Sequence, residues 1–318
     1  MKDILEAQAR IGAHVRRTPL VYSHTLSQSA GAKVYLKLEC WQHTGSFKVR
    51  GALNRLATLP PELRGSELVT ASAGNHALGV AYAAAKVGCP HVRIFLPTNA
   101  PQSKVAKLKE YSARLNFAGK DYEEAHAAAE RYVHERGATY VHAYDDPVVI
   151  AGQGTAGLEI LCDLPDVDAI IVPVGGGGLS AGVALAAKTL HPSVQVFGVQ
   201  PDASPSAHLS LRDGRPYERY DAGPSIADGL TGGYGRLPFQ IAQKYMDGVL
   251  VVKEEVIRRA VVEFLAQAQL IAEASGAITL APLLTGDLNL RGKKVVLIVS
   301  GGNIDASLLR ELLNEAGA

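Results

Sequence analysis

Two rhythms of apolar and polar residues alternate along this chain. Short strand-like runs occur at 34–38, 68–71, 91–96, 114–117, 138–141, 169–174, 194–199, 249–252 and 294–300. Between them, three- and four-residue apolar spacing predicts helices at 77–87, 102–111, 122–136, 150–162, 179–190 and from 254 to about 274. In the last of these, Val256, Ala260, Phe264, Ala268 and Ile271 are expected to form one buried face. A short helix opens the chain, and Arg17-Thr18-Pro19-Leu20 breaks its periodicity. From 68 to 141, strands alternate with helices, which predicts a small, mostly parallel α/β domain. Ile170-Ile171-Val172 and Val295-Val296-Leu297-Ile298-Val299 have no polar face, so they predict a parallel sheet covered on both sides. The Pro/Gly-rich segment 200–235 has no clean period and is expected to cross the surface near a ligand entrance.

Ligands of such sheets bind beyond the carboxyl ends of the strands. Three glycine-bearing turns stand at such ends: Ala71-Ser72-Ala73-Gly74-Asn75-His76, the run Gly175-Gly176-Gly177-Gly178-Leu179, and Ser300-Gly301-Gly302-Asn303. The glycine run follows an apolar strand and opens a helix, so its N–H groups can converge on an anion, a phosphate above all. A dinucleotide site is the competing reading, since residues 176–181 fit G-x-G-x-x-A. The acid that would hold a ribose about twenty positions on is Gln200 instead. A mere tight turn is the plain alternative. The 72–76 turn suits a carboxylate, with helix capping by Ser72 and Asn75 as its bland reading and His76 as a structural hydrogen bonder.

One more stretch, Thr44-Gly45-Ser46-Phe47-Lys48-Val49-Arg50-Gly51-Ala52, passes from a strand into a helix. Ser46 is the expected N-cap and Lys48 falls in the first turn. A cation there is disfavoured by about 0.3–1 kcal/mol, whereas a neutral or covalently bound amine escapes part of that cost. A lowered ammonium pKa is what a nucleophilic lysine needs. An ordinary surface lysine is the alternative.

Composition narrows the classes. The chain has 318 residues, 47% hydrophobic and 20% charged, which suits two packed domains, with a single large one the alternative. Net charge is +1 with no basic stripe, which excludes a footprint for nucleic acid or an anionic membrane surface. No apolar run approaches membrane-spanning length, and the N-terminus lacks a signal-peptide core, so a cytoplasmic location is expected. Cys40, Cys89 and Cys162 have no metal-site spacing and read as buried reduced thiols.

Taken in order, the lysine stretch and the three glycine turns resemble the signature motifs of the fold-type II pyridoxal phosphate (PLP) enzymes. The resemblance covers nearly the whole chain and is strongest to the serine/threonine dehydratases, of the catabolic type without a regulatory domain. It implies an α/β fold like that of the tryptophan synthase β subunit, with parallel-rich sheets flanked by helices and the cofactor between two domains. Residues 1–50 and 145–318 would form the large domain and 51–144 the small one. It implies that Lys48 holds PLP as an imine and then takes the substrate Cα proton. Phe47, Asn75, Gly175, Gly176, Gly177, Gly178, Leu179 and Ser300 would contact the cofactor, Asn75 at the phenolic oxygen and Ser300 at the pyridine nitrogen. The substrate would meet Ser72, Ala73, Gly74, Asn75, His76 and Tyr144. Glu273 matches a family glutamate, although Ala274 departs from the pattern after it; His43 and Gln153 are divided between pocket lining and surface. The metal-binding glutamate and aspartate of serine racemase correspond to Gln200 and Ser206, so no divalent metal is expected.

The implied reaction removes water from a small β-hydroxy amino acid, L-threonine or L-serine, giving a 2-oxo acid and ammonia, with no isoleucine control. A racemase, a dehydratase of 3-hydroxyaspartate or a bulkier β-hydroxy amino acid, and a catalytically silent binding protein are the alternatives. A homo-oligomer, dimer or tetramer, is expected.

Overall fold

The structure, a computed structural model, describes residues 1–100, 102–120 and 122–317. Pro101, which with Pro97 is expected to end the run 91–96, lies outside the described residues. The strands are β1 Leu20–Tyr22, β2 Lys33–Lys37, β3 Leu68–Ala71, β4 Val92–Leu96, β5 Arg114–Phe117, β6 Thr139–Tyr140, β7 Ala169–Pro173, β8 Gln195–Pro201, β9 Gly248–Val252 and β10 Lys294–Ile298. They form a six-stranded sheet, β1-β2-β10-β7-β8-β9, and a four-stranded sheet, β5-β4-β3-β6. Only the β1–β2 pair is antiparallel among the described strands.

The continuous apolar runs have a simple cause. Successive side chains of a strand point to opposite faces, and here both faces are covered. Val295 and Leu297 enter one core with Ala169 and Ile171, while Val296 and Ile298 enter the other with Ile170 and Val172.

Three expectations are corrected. The helix predicted to about 274 spans Glu254–Ala268, because Gln269 turns left-handed at φ 51° and Leu270 N–H bonds back to Phe264 O, a helix-terminating arrangement. Its buried face is Ile257, Ala260, Val261 and Phe264, and Ile271, beyond the end, is 51% exposed. Cys40 and Cys89 are buried, but Cys162 is exposed. Strand β1 and the helix His24–Ala30 had no clear pattern of their own.

The helices nearest the site pack by small residues. A Cβ on Gly79 would sit 3.1 Å from the Lys48 carbonyl carbon, and one on Gly152 would sit 2.7 Å from Arg50 O. The helix Lys48–Ala57 is therefore clamped between Asn75–Val87 and Pro147–Asp163 at backbone distance.

Candidate active site

Lys48 is the first residue of its helix. Phe47, already helical at φ −58°, occupies the N-cap without a side-chain bond. Ser46 is not the cap: its backbone bridges to Gly301, and its buried Oγ has no hydrogen-bond partner among the described residues. The adjoining Phe47 N–H donates to Ser300 O at 3.1 Å. This tie to a distant strand end overrides the local capping signal. The Lys48 Nζ donates to Ala143 O at 3.1 Å and lies 5.2 Å from the Phe47 ring centroid. Loss of water around the amine lowers its pKa to about 8, against the opposing charge of Glu273.

Asn75 is not a cap either. Its Nδ2 donates to Glu273 Oε1 at 2.6 Å, and its Oδ1 accepts from Asn303 Nδ2 at 2.8 Å. Asn303 Nδ2 also donates to Thr44 O at 2.8 Å, so three separated motifs are tied in one network. Burial first, and then the charge of Asp228, push the Glu273 carboxyl up to about 7; the Asn75 bond opposes them. Gly301 has no room for a Cβ, which would lie 1.9 Å from Glu273 Oε1. Ser72 Oγ accepts from Gly74 N–H at 3.1 Å, shaping the turn before the helix Asn75–Val87 rather than capping it. Half-buried Ala73 offers no polar group beside it. His76 Nε2 donates to Val141 O at 3.1 Å, and burial with the neighbouring Lys48 charge pushes its pKa down to about 3, so it is a structural hydrogen bonder.

The glycine run closes the opposite side. Gly177 N-caps the helix Gly178–Leu190 in the left-handed region at φ 96°, where side chains are strained. The first N–H groups of that helix have no intrahelical partner. A Cβ on Gly176 would fall 2.3 Å from the Tyr144 ring. Tyr144 thus lies on the loop, one residue from the carbonyl that accepts from Lys48. Leu179 is buried in the core below. Buried Ser300 donates a long 3.4 Å bond to Ser275 O.

Other candidates fall away from the crevice. His43 is exposed and stacks on Tyr82, and Gln153 is buried with its Oε1 accepting from Gly51 N–H at 3.1 Å. Gln200 Oε1 accepts from the N–H groups of Ala207 and His208, which fixes the start of the helix Ser206–Asp213.

Sequence reasoning passed over Arg50 as a buried charge. Its guanidinium, 0% exposed, forks onto both oxygens of Glu39 and both of Glu159 at 2.8 Å. Lys37 Nζ completes the set, donating to Glu159 Oε2 at 2.5 Å and to Thr18 O at 2.7 Å. The signal was an arginine two residues past Lys48, set in the small and apolar stretch Val49-Arg50-Gly51-Ala52-Leu53. Ala143, His142, and the pairing of Lys104 with Asp228 near the crevice were also unforeseen.

A lysine at a clamped helix start, facing a glycine run across two parallel-rich sheets, defines the fold-type II class of PLP enzymes. The model of the family described as pyridoxal-phosphate dependent enzyme matches residues 11–301. The chain belongs to that family, and pyridoxal phosphate is its cofactor. It is 46% identical to an L-threonine ammonia-lyase of Thermotoga maritima over 99% of this chain and 78% of that protein. Its fold is similar to a threonine deaminase of Solanum lycopersicum, with a TM-score of 0.93, 34% identity, and coverage of 99% and 88% of the two chains. Maize serine racemase gives a TM-score of 0.91 at 36% identity, covering 99% and 97%. The chain is a PLP-dependent lyase of the ammonia-lyase kind.

Proposed function

We propose that this enzyme removes water from L-threonine, L-serine or both, releasing a 2-oxo acid and ammonia. The observation that carries the reading is the Lys48 amine, drawn down to about 8 and aimed at a backbone carbonyl beside the glycine run. Similarity to a threonine ammonia-lyase over nearly the whole chain supports the substrate.

The crevice fits pyridoxal phosphate. Gly176 and Gly177 form a cradle that β-carbons would obstruct, the helix start beneath them suits a phosphate, and buried Ser46 Oγ is unpartnered among the described residues. When bound, the cofactor supplies the electron sink that makes the substrate Cα proton labile. Lys48 would hold it covalently. Gly175, Gly176, Gly177, Gly178 and Leu179 would take its phosphate, Asn75 its phenolic oxygen and Ser300 its ring nitrogen, with Phe47 a further contact. The turn Ser72, Ala73, Gly74, Asn75, His76 receives the substrate carboxylate, and Tyr144 covers the glycine side. The Lys48 amine, its pKa drawn down to about 8, would be the base that takes the substrate Cα proton.

A racemase reading has support from the maize enzyme's similarity. Racemisation needs a second group to return a proton on the face opposite Lys48, and the alanine at position 73 supplies none. General acid–base catalysis is worth about 10²–10⁴ in rate, so elimination should lead by that order. Assays of 2-oxo acid and D-amino acid from L-threonine and L-serine test this. Comparable rates would overturn it, and no turnover over a panel of β-hydroxy amino acids would point to a silent binding protein.

The same reading divides the chain into a large domain, 1–50 with 145–318, and a small one, 51–144, with the four-stranded sheet in the latter. It places the enzyme in the cytoplasm, which the buried thiol of Cys40 supports. No helix among the described residues is long and apolar enough to cross a membrane. A homo-oligomer is supported by exposed Val21 and Tyr22 on the edge strand β1 of the large sheet and exposed Trp41 in the turn Glu39–Trp41 that follows β2.

A further inference from the structure

His142 stands just after β6, and the reading of the site gives it no role. Its Nδ1 accepts two backbone N–H groups, from Tyr144 at 3.2 Å and Asp145 at 2.9 Å. A ring nitrogen that accepts carries no proton, so the imidazole is neutral with its hydrogen on Nε2. The pattern is that of an aspartate or asparagine closing a turn on its own backbone.

The turn so closed carries two parts of the site. Its Ala143 carbonyl accepts from Lys48 Nζ at 3.1 Å, and its Tyr144 ring lies against Gly176. The His142 ring meets the Tyr144 ring edge to face, 4.7 Å between centroids and 88° between planes. Beyond the turn, the chain is anchored independently. Asp145 accepts from the N–H groups of Arg236 and Leu237 at 3.2 and 2.9 Å, and Asp146 caps the helix Pro147–Asp163.

We propose that His142 is a positioning residue: by accepting at Nδ1 it fixes the 142–145 turn, and with it the carbonyl that orients Lys48 and the tyrosine over the glycine run. The proposal rests on the reading of this crevice as the active site. Protonation at Nδ1 would set an N–H against two others and release the turn. The groups facing His142 are His126 on the helix Tyr122–Arg136, Tyr140 on β6, Lys48 and His76 on two neighbouring helices, and Tyr144, Asp145 and Asp146 on its own loop. Burial lowers its pKa; Asp145 opposes, and the His126 and Lys48 charges add to the lowering. The ring is therefore neutral at pH 7 and titrates only in acid.

The test compares holoenzyme with His142→Leu, which cannot accept, and His142→Asn, whose Oδ1 replaces Nδ1. The readouts are kcat/KM with L-threonine and the absorbance of the bound cofactor as a function of pH. His142→Leu should lose about 10–100-fold in kcat/KM, the scale of a small misplacement of reacting groups. His142→Asn should recover most of that loss, and the acid limb that His142 contributes to the wild-type absorbance titration should be absent from it. An unimpaired leucine variant, or an asparagine variant as damaged as the leucine one, would overturn the proposal. Should the leucine variant not fold, retention of the full acid limb in His142→Asn would overturn it alone. A wild-type protein with no cofactor band would overturn both this and the reading of the site, whereas an intact wild-type band separates the two.

Discussion

Replacing Arg50 with methionine should destabilise the protein far more than the loss of one surface charge would. Arg50 and Lys37 face Glu39 and Glu159 in a set that is at most 2% exposed, two cations against two anions. Removing the arginine leaves two carboxylates sharing one ammonium in a dry interior. Breaking a buried ion pair from one side costs about 3–5 kcal/mol. An independent route gives the same scale. The folded variant would relieve itself by protonating a carboxylate, and from an ordinary value of 4.5 that costs about 3 kcal/mol at pH 7, at 1.36 kcal/mol per pKa unit. Against a total of about 5–15 kcal/mol, this is a large share. The pH slope separates this account from simple loss of packing. In the wild type the Arg50 guanidinium, with its hydrogen bonds, holds Glu39 below 4.5 despite burial, so its contribution is present above 4.5 and is lost as the pH falls through the lowered value. In the variant a carboxyl is protonated when folded and ionised when unfolded, so stability instead falls as the pH rises from 4.5 to 7. Urea unfolding at pH 5 and pH 7 measures both. A loss under about 1 kcal/mol at pH 7, or a wild-type pH slope in the variant, would refute the reasoning.

Further outcomes follow from single contacts. The Glu273 carboxyl is raised to about 7, so the folded state binds more proton than the unfolded one between 4.5 and 7; its contribution to stability should fall as the pH rises through that window, and Glu273→Gln should remove the slope in urea titrations. Gly176→Ala places a Cβ 2.3 Å from the Tyr144 ring; overpacking of about 1–3 kcal/mol should weaken cofactor binding about tenfold or more in an absorbance titration. Ala73→Ser should raise formation of D-serine from L-serine, read by a chiral amino-acid assay. Gln200 is committed to holding the helix Ser206–Asp213, so chelator treatment should leave turnover unchanged and added Mg²⁺ should not activate.

Strands β7 and β10 were legible because burial on both faces leaves an unbroken apolar run that few other structures produce. Strand β1 was not, since Val21 and Tyr22 at its open edge are 41% and 47% exposed and resemble loop residues. Lys48 and the glycine run were legible because each marks a helix start within its own stretch of sequence. Ser46 misled for the opposite reason: the residue that takes its backbone, Gly301, lies at the far end of the chain. The partners of Arg50 are 11 and 109 residues away, and no local rhythm signals a charge whose compensation is so distant. Asn75 looked like a cap because its real partners, Glu273 and Asn303, are 198 and 228 residues further on.

The central claim is that Lys48 is the residue that carries the cofactor, and covalent trapping tests it most directly. Purified protein should be yellow. Borohydride should reduce the C=N bond between lysine and cofactor, and peptide mapping should recover a pyridoxyl group on Lys48. Label on another lysine, or none on a protein that still turns over substrate, would contradict the account.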